Sequence, residues 1–258
     1  MKSSILIILM TLLMQTISTA QSSLTSFSRE VYGKGTDSLF YRLLLPENFD
    51  PAKKYPVLFF LHGAGERGND NQAQLTHGSK LFLSEQVRKD YPAIVVFPQC
   101  PTDDFWANVL IKNTGDRFSF QEGGDPGKAM KMLEGLIGHF RGLKYADKNR
   151  FYVGGLSMGG MGALELLRRK PRTFAAAFSI CGGDNIANSK KYKRIPLWLF
   201  HGGKDTVVPP EESKKIAAEL ERLNAPVKLT IYAEANHNSW DPAFAEPGLL
   251  SWLFSHKK

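Results

Sequence analysis

Gly155-Leu156-Ser157-Met158-Gly159 places a hydroxyl among small residues in the form G-x-S-x-G. The apolar run 151–153 comes just before it and a helical pattern follows. Chemistry at such a motif needs a sharp strand-to-helix turn. The turn exposes the hydroxyl at the top of a sheet, at a helix N-terminus, with the next backbone N–H aimed at a developing oxyanion. Only residues without side-chain bulk let the neighbouring backbone pass closely, which accounts for Gly155, Gly159, Gly160 and Gly162. The five-residue pattern alone is weak, since background frequencies give about 0.1 chance matches in a chain of this composition. Its strand-turn-helix setting is the stronger sign.

A serine is a poor nucleophile without a base in hydrogen-bond reach and a third group to orient that base. On this kind of sheet the chain order is Ser, then Asp or Glu, then His. Asp205 follows the run 197–200 within His201-Gly202-Gly203-Lys204-Asp205, and His237 follows the run 227–232. Both therefore sit just past strand ends, where open α/β sheets bind ligands. A second oxyanion donor should come from the Gly-rich loop His62-Gly63-Ala64-Gly65-Glu66-Arg67-Gly68. We assign the amides of Met158 and Ala64, each worth about 3 kcal/mol of transition-state stabilisation.

Blander roles compete. Ser157 also reads as a packing serine, Asp205 as a helix cap with Asp184 the nearest alternative acid, and His237 as a surface histidine. His62 and His201 read as structural, and His77 as an ordinary polar residue. Glu66 and Arg67 form a brace for the loop or are simply solvated. Trp106 and Trp240 form a substrate wall or belong to the core.

The elements that position these groups follow from hydrophobic pattern. Continuous apolar runs at 39–45, 57–61, 94–97, 151–153, 175–180, 197–200 and 227–232 indicate strands buried on both faces. Helical patterns lie between them. Asp125 is a plausible N-cap with Pro126 at the first turn of a helix running to Phe140. Further helices are expected at 158–169, 210–223 and 247–254. Strand and helix in alternation give an α/β fold, a mostly parallel doubly wound sheet flanked by helices. The connection before the 197–200 strand is too short for a cap domain, so the site should be open and shallow.

Residues 1–20 have the layout of a secretory signal peptide: Lys2, an apolar run over 5–13, then Ser18-Thr19-Ala20. Residues 21–258 are expected to form one catalytic domain, exported or periplasmic, with no membrane insertion after cleavage. Cys100 and Cys181 follow strands about 14 Å apart at ~4.8 Å per strand, so both thiols should be free. No Cys/His cluster has metal-ligand spacing, and neither a metal nor a cofactor is expected. The formal charge of +8 permits attraction to an acidic polymer. The basic group Lys190, Lys191, Lys193 and Arg194 reads as a solvated face, and no nucleic-acid partner is expected.

Five segments together resemble the α/β-hydrolase superfamily, in particular small secreted esterases described as phospholipase/carboxylesterase-like, "predicted peptidase" or feruloyl-esterase-like. They are residues 62–68, Phe97-Pro98-Gln99-Cys100-Pro101, 155–160, 201–205 and Asn236-His237-Asn238-Ser239-Trp240. The resemblance implies Ser157 as nucleophile, His237 as base and Asp205 as orienting acid, with no β-propeller over the site. The expected activity is ester hydrolysis on a small ester or an acylated polysaccharide, with short-acyl or aromatic groups favoured. A small serine peptidase or amidase, and a non-catalytic binding module, are the alternatives.

Overall fold

The apolar runs become strands because they find hydrophobic partners on both sides. In the computed structural model, every residue of the strand Tyr55–Leu61 is buried. Val57, Phe59 and Leu61 join one core layer, while Leu58 and Phe60 join the other. The structure describes residues 24–34, 37–112 and 117–258. The expected export segment, 1–20, lies outside the described residues.

The main sheet contains β1 (Ser28–Lys34), β2 (Asp37–Leu44), β3 (Tyr55–Leu61), β4 (Ile94–Pro98), β7 (Ala146–Leu156), β8 (Ala176–Ile180), β9 (Leu197–Gly202) and β10 (Val227–Tyr232). Their order across the sheet is β1-β2-β4-β3-β7-β8-β9-β10. From β4 to β10 all neighbours are parallel, while β1–β2 and β2–β4 are antiparallel. The chain leaves β3 for β4 on one side and later returns to place β7 on the other. The strand order thus reverses between β3 and β7, and ligands bind at such a switch point, beyond the strands' carboxyl ends.

Helices cover both faces. Leu133 of α3 (Lys128–Gly142), Leu164 of α4 (Met158–Arg169) and Ile216 of α6 (Glu211–Arg222) pack into one layer. Phe82 of α1 (Ser79–Leu83) and Leu253 of α8 (Leu249–Ser255) pack into the other. The short helices α2 (Glu85–Asp90), α5 (Ser189–Tyr192) and α7 (Trp240–Phe244) line the connections. The β8–β9 connection holds only the turn Ile186–Asn188 and α5, so no cap domain stands over the sheet among the described residues. No helix among them is long and apolar enough to cross a membrane.

At least five elements escaped the hydrophobic pattern. β1 is an edge strand with Val31 half exposed, so it lacks a continuous apolar run. The hairpin of β5 (Val109–Ile111) and β6 (Phe118–Phe120), inside the long loop after β4, has strands too short to show a period. α1 and α2 are single turns or little more. Cys100 and Cys181 are free and buried, beyond strands β4 and β8 that β3 and β7 separate.

The start of α3 differs from expectation. Its first residue is Lys128, and Gly127 rather than Asp125 is the N-cap. The cap is supplied at long range. Asp104 Oδ2 accepts the Ala129 N–H at 2.6 Å, and Asp104 Oδ1 accepts the Phe105 N–H at 2.7 Å. Gly127 leaves space for the approach, since a Cβ there would lie 3.0 Å from Asp104 Oδ1 and crowd the carboxylate. The Asp104→Ala substitution should therefore lower stability by about 1–2 kcal/mol, read as a reduced urea midpoint with an unchanged slope. Asp125→Ala should leave the midpoint within experimental scatter.

Candidate active site

The turn from β7 into α4 puts Ser157 at φ +51° and ψ −118°, backbone that a non-glycine residue holds only under strain of about 1–3 kcal/mol. Three contacts hold it there. The Ser157 N–H donates to Ile180 O at 2.8 Å, and Ser157 O accepts the Met161 N–H at 3.0 Å. Gly155 and Gly159 bring the end of β3 and the start of α4 into backbone contact. A Cβ on Gly159 would stand 2.0 Å from Leu61 O, and one on Gly155 would stand 2.3 Å from Gly159 O. No side chain fits at either position.

Asp205, Ser157 and His237, far apart in the chain, converge. His237 Nε2 lies 2.9 Å from Ser157 Oγ, and His237 Nδ1 lies 2.8 Å from Asp205 Oδ2. A carboxylate only accepts, so Nδ1 carries the proton and Nε2 is free to accept from the serine hydroxyl. Asp184 is not the acid. It lies in a separate buried cluster, accepting from Asn188 Nδ2 at 2.8 Å and Tyr192 Oη at 3.0 Å. Burial pushes its carboxyl up to about 6, against the pull of those hydrogen bonds.

Asp205 is buried, which by itself would raise its pKa. Hydrogen bonds from His201, His237 and the Val208 and Val207 amides outweigh that and hold the carboxyl well below the usual carboxylate range. His201 had read as a structural residue only. It is fully buried, with Nε2 2.9 Å from Val208 O and 3.3 Å from Asp205 Oδ2, and Nδ1 2.7 Å from Ser213 Oγ. Because Val208 O can only accept, Nε2 carries the proton. Asp205 Oδ2 thus faces an N–H from each of two histidines.

Ala64 opens the turn Ala64–Glu66 directly beyond β3, and Met158 opens α4 directly beyond β7. Neither amide N–H is taken by a backbone carbonyl among the described residues. The two loops touch, since a Cβ on Gly63 would lie 3.8 Å from Ser157 Cβ. His62 fastens the loop from below. Its Nδ1–H donates to Gly63 O at 2.6 Å, and its Nε2 accepts the Cys100 N–H at 2.9 Å. The expected Glu66–Arg67 brace takes another form. Arg67 reaches Ala64 O at 3.1 Å and Asp104 O at 3.3 Å, and Glu66 faces His77 at 3.7 Å.

Trp106 is not part of a substrate wall. It is fully buried, packed edge-on against His62 at 5.5 Å and seated over Gly162. Trp240 is partly exposed and stands beside the site, its ring 5.5 Å from that of His237. His77, a residue the sequence did not single out, packs 5.0 Å from Trp240. No sequence signal marks it, because it touches the site only through the fold.

The fold also assembles a group that sequence spacing could not show. Donor atoms of Cys181, Asp205 and His237 all lie within 4.8 Å of one another, a set of types able to ligate a metal. Asp205 and His237 are already bonded to each other, and burial pushes the Cys181 thiol up to about 12. In this arrangement the trio is a neutral thiol packed behind a hydrogen-bonded acid–base pair.

Residues 50–246 match the phospholipase/carboxylesterase family. A bifunctional acetylxylan esterase/xylanase from Neocallimastix patriciarum is 28% identical over 72% of this chain and 24% of its own length. Lysophospholipase-like protein 1 of Mus musculus is 26% identical over 77% of this chain and 85% of its own. The crystal structure of a thermostable esterase superposes with TM-score 0.79 at 31% identity, covering 91% of this chain and 64% of that one. The chain thus spans about a quarter of the fungal relative and under two thirds of the thermostable esterase.

Burial holds the His62 ring at about 4, below its ordinary 6.5, because the imidazolium would lose its solvation there. A histidine depressed in the folded state costs stability as pH falls. The unfolded chain binds the proton from about 6.5 downward, while the folded chain refuses it until about 4. Across that window the wild type should lose about 3 kcal/mol through this group. His62→Gln should be less stable at neutral pH but should show a shallower acid slope, measured by denaturant unfolding at pH 7 and at pH 4.5. Equal slopes would mean that His62 is not held neutral.

Proposed function

Because the chain belongs to the phospholipase/carboxylesterase family of the α/β-hydrolase superfamily, we propose that it is an exported serine carboxylesterase. Its substrates are short-acyl or aromatic esters, including acetyl and feruloyl groups on polysaccharide. The single observation that carries this is the unbroken relay Asp205–His237–Ser157, with hydrogen bonds of 2.8 and 2.9 Å in the required polarity. The membership makes it a hydrolase, and the relay is what makes serine the reacting group.

Ser157 Oγ attacks the ester carbonyl while His237 Nε2 takes its proton. The N–H groups of Met158 and Ala64 hold the resulting oxyanion. Asp205 stays ionised throughout, steadying the imidazolium and fixing its tautomer. His237 then protonates the alkoxide as the tetrahedral intermediate collapses, and the alcohol leaves. Water, deprotonated by His237, attacks the acyl-serine and releases the acid. No step requires a cofactor.

The small-ester preference is supported by the missing cap and by an exposed Ala64 at the mouth. Polysaccharide esters are supported by relatives named for acetylxylan and feruloyl esterase activity. Export is supported by the signal-peptide layout of residues 1–20.

Protein beginning near Gln21 should hydrolyse p-nitrophenyl acetate, and faster than the matching anilide. Ser157→Ala should reduce kcat by about four orders of magnitude or more, and Asp205→Asn by about three to four. Turnover by Ser157→Ala equal to wild type would place the chemistry elsewhere and overturn the assignment. A rate higher on the anilide than on the ester would turn the proposal toward a peptidase.

A further inference from the structure

The chemistry fixes the side by which the alcohol leaves. His237 must hand its proton to the alcohol oxygen, so the alcohol half of the ester lies toward His237 while the acyl half stays on Ser157. Trp240 stands on that side, its ring nearly perpendicular to the imidazole. Trp240 meets His77, and His77 faces Glu66 on the loop that carries Ala64. His77 therefore spans the rim between the two loops that frame the serine.

Beyond His77 a groove opens between α1 and α7. Its volume is 510 Å³, and it is lined by Thr76, His77, Lys80, Asp241, Phe244 and Ala245 among others. That is the size of a small-molecule site, and far more than a methyl or ethyl alcohol would fill. The lining alternates ring faces with a hydroxyl, an ammonium and a carboxylate. Thr76, Lys80 and Asp241 are exposed at the groove. The Thr76 hydroxyl donates to Ala73 O at 2.7 Å and keeps its lone pairs for a ligand. Asp241 Oδ2 accepts from Asn238 Nδ2 at 3.3 Å, which leaves its other oxygen to meet one.

We infer that this groove is a subsite for the sugar portion of an acylated oligosaccharide, with His77 as the stacking face, Phe244 as an apolar wall, and Thr76, Lys80 and Asp241 as hydroxyl partners. This rests on the esterase activity proposed above. A pyranose offers an apolar C–H face and a rim of hydroxyls, which match that alternation. An aliphatic alcohol would leave the polar groups without use. A phosphorylated alcohol would meet Lys80 but also the Asp241 carboxylate in the same groove, so the lining favours a neutral polyol.

Two measurements test it. The first is kcat/KM of the wild type on acetylated xylo-oligosaccharides of increasing length, each compared with p-nitrophenyl acetate. The ratio should rise with the first added sugars. It should fall about tenfold in His77→Ala, through KM, and again in Ala245→Trp, which adds bulk to the groove lining. The second is calorimetric binding of unacetylated xylo-oligosaccharide to Ser157→Ala. Binding should be present there and lost when His77→Ala is added. No length dependence together with no binding overturns the subsite, while a retained, Ser157-dependent aryl acetate activity keeps the esterase assignment. Sugar binding without any ester hydrolysis upholds the groove and overturns the esterase assignment. A stronger preference for glycerophospholipid esters than for sugar esters also overturns the subsite.

Discussion

Everything at the site depends on one close approach, where the end of β3 passes the start of α4 with backbone against backbone. A hydrogen atom is all that fits at Gly155 and Gly159. That contact bends the chain so sharply that Ser157 takes a positive φ, and the strain is held by the Ile180 carbonyl on the neighbouring strand. The consequence is geometric. The hydroxyl comes within 2.9 Å of His237 Nε2. Relaxing the turn would lower the strain energy but would take the hydroxyl out of the relay.

The second constraint is electrostatic. Burying the Asp205 carboxylate is costly, and the site offsets that cost with donors rather than with a cation. Two backbone amides hold Oδ1, while His237 and His201 face Oδ2. The carboxylate is thereby kept ionised and directed at one edge of His237. His62 plays a comparable part under the oxyanion loop, where a neutral ring satisfies Cys100 and Gly63 at once. His62 follows the end of β3 and His201 is the last residue but one of β9, and each precedes a glycine.

Much of this is legible in the sequence, for physical reasons. Strands buried on both faces must be continuously apolar, so β3, β4, β8, β9 and the end of β7 announce themselves. The runs 39–45 and 227–232 also become strands, but β2 is only partly buried and β10 is an edge strand none of whose residues is fully buried. The hydrogen-bonded trio Ser157, Asp205 and His237 is readable because each member lies shortly past a strand end and chain order is fixed by the sheet. What escapes is whatever depends on one-sided burial or long-range contact. β1 buries one face only. The cap on α3 comes from Asp104, across the loop, so the local Asp125-Pro126 signal misleads. Trp106 looks like a loop aromatic but is core, because its loop folds inward over Gly162. His77 carries no local mark at all, since its meaning comes from Trp240 and Glu66, which only the fold brings beside it.

The proposed esterase requires Ser157 to be an activated nucleophile and not merely a strained one. The most direct measurement is covalent labelling by a fluorophosphonate, with the modified peptide identified by mass spectrometry. One adduct is expected, on Ser157, formed far more slowly when His237→Ala removes the base. Labelling at another serine, or a rate on Ser157 that is indifferent to His237, would contradict it.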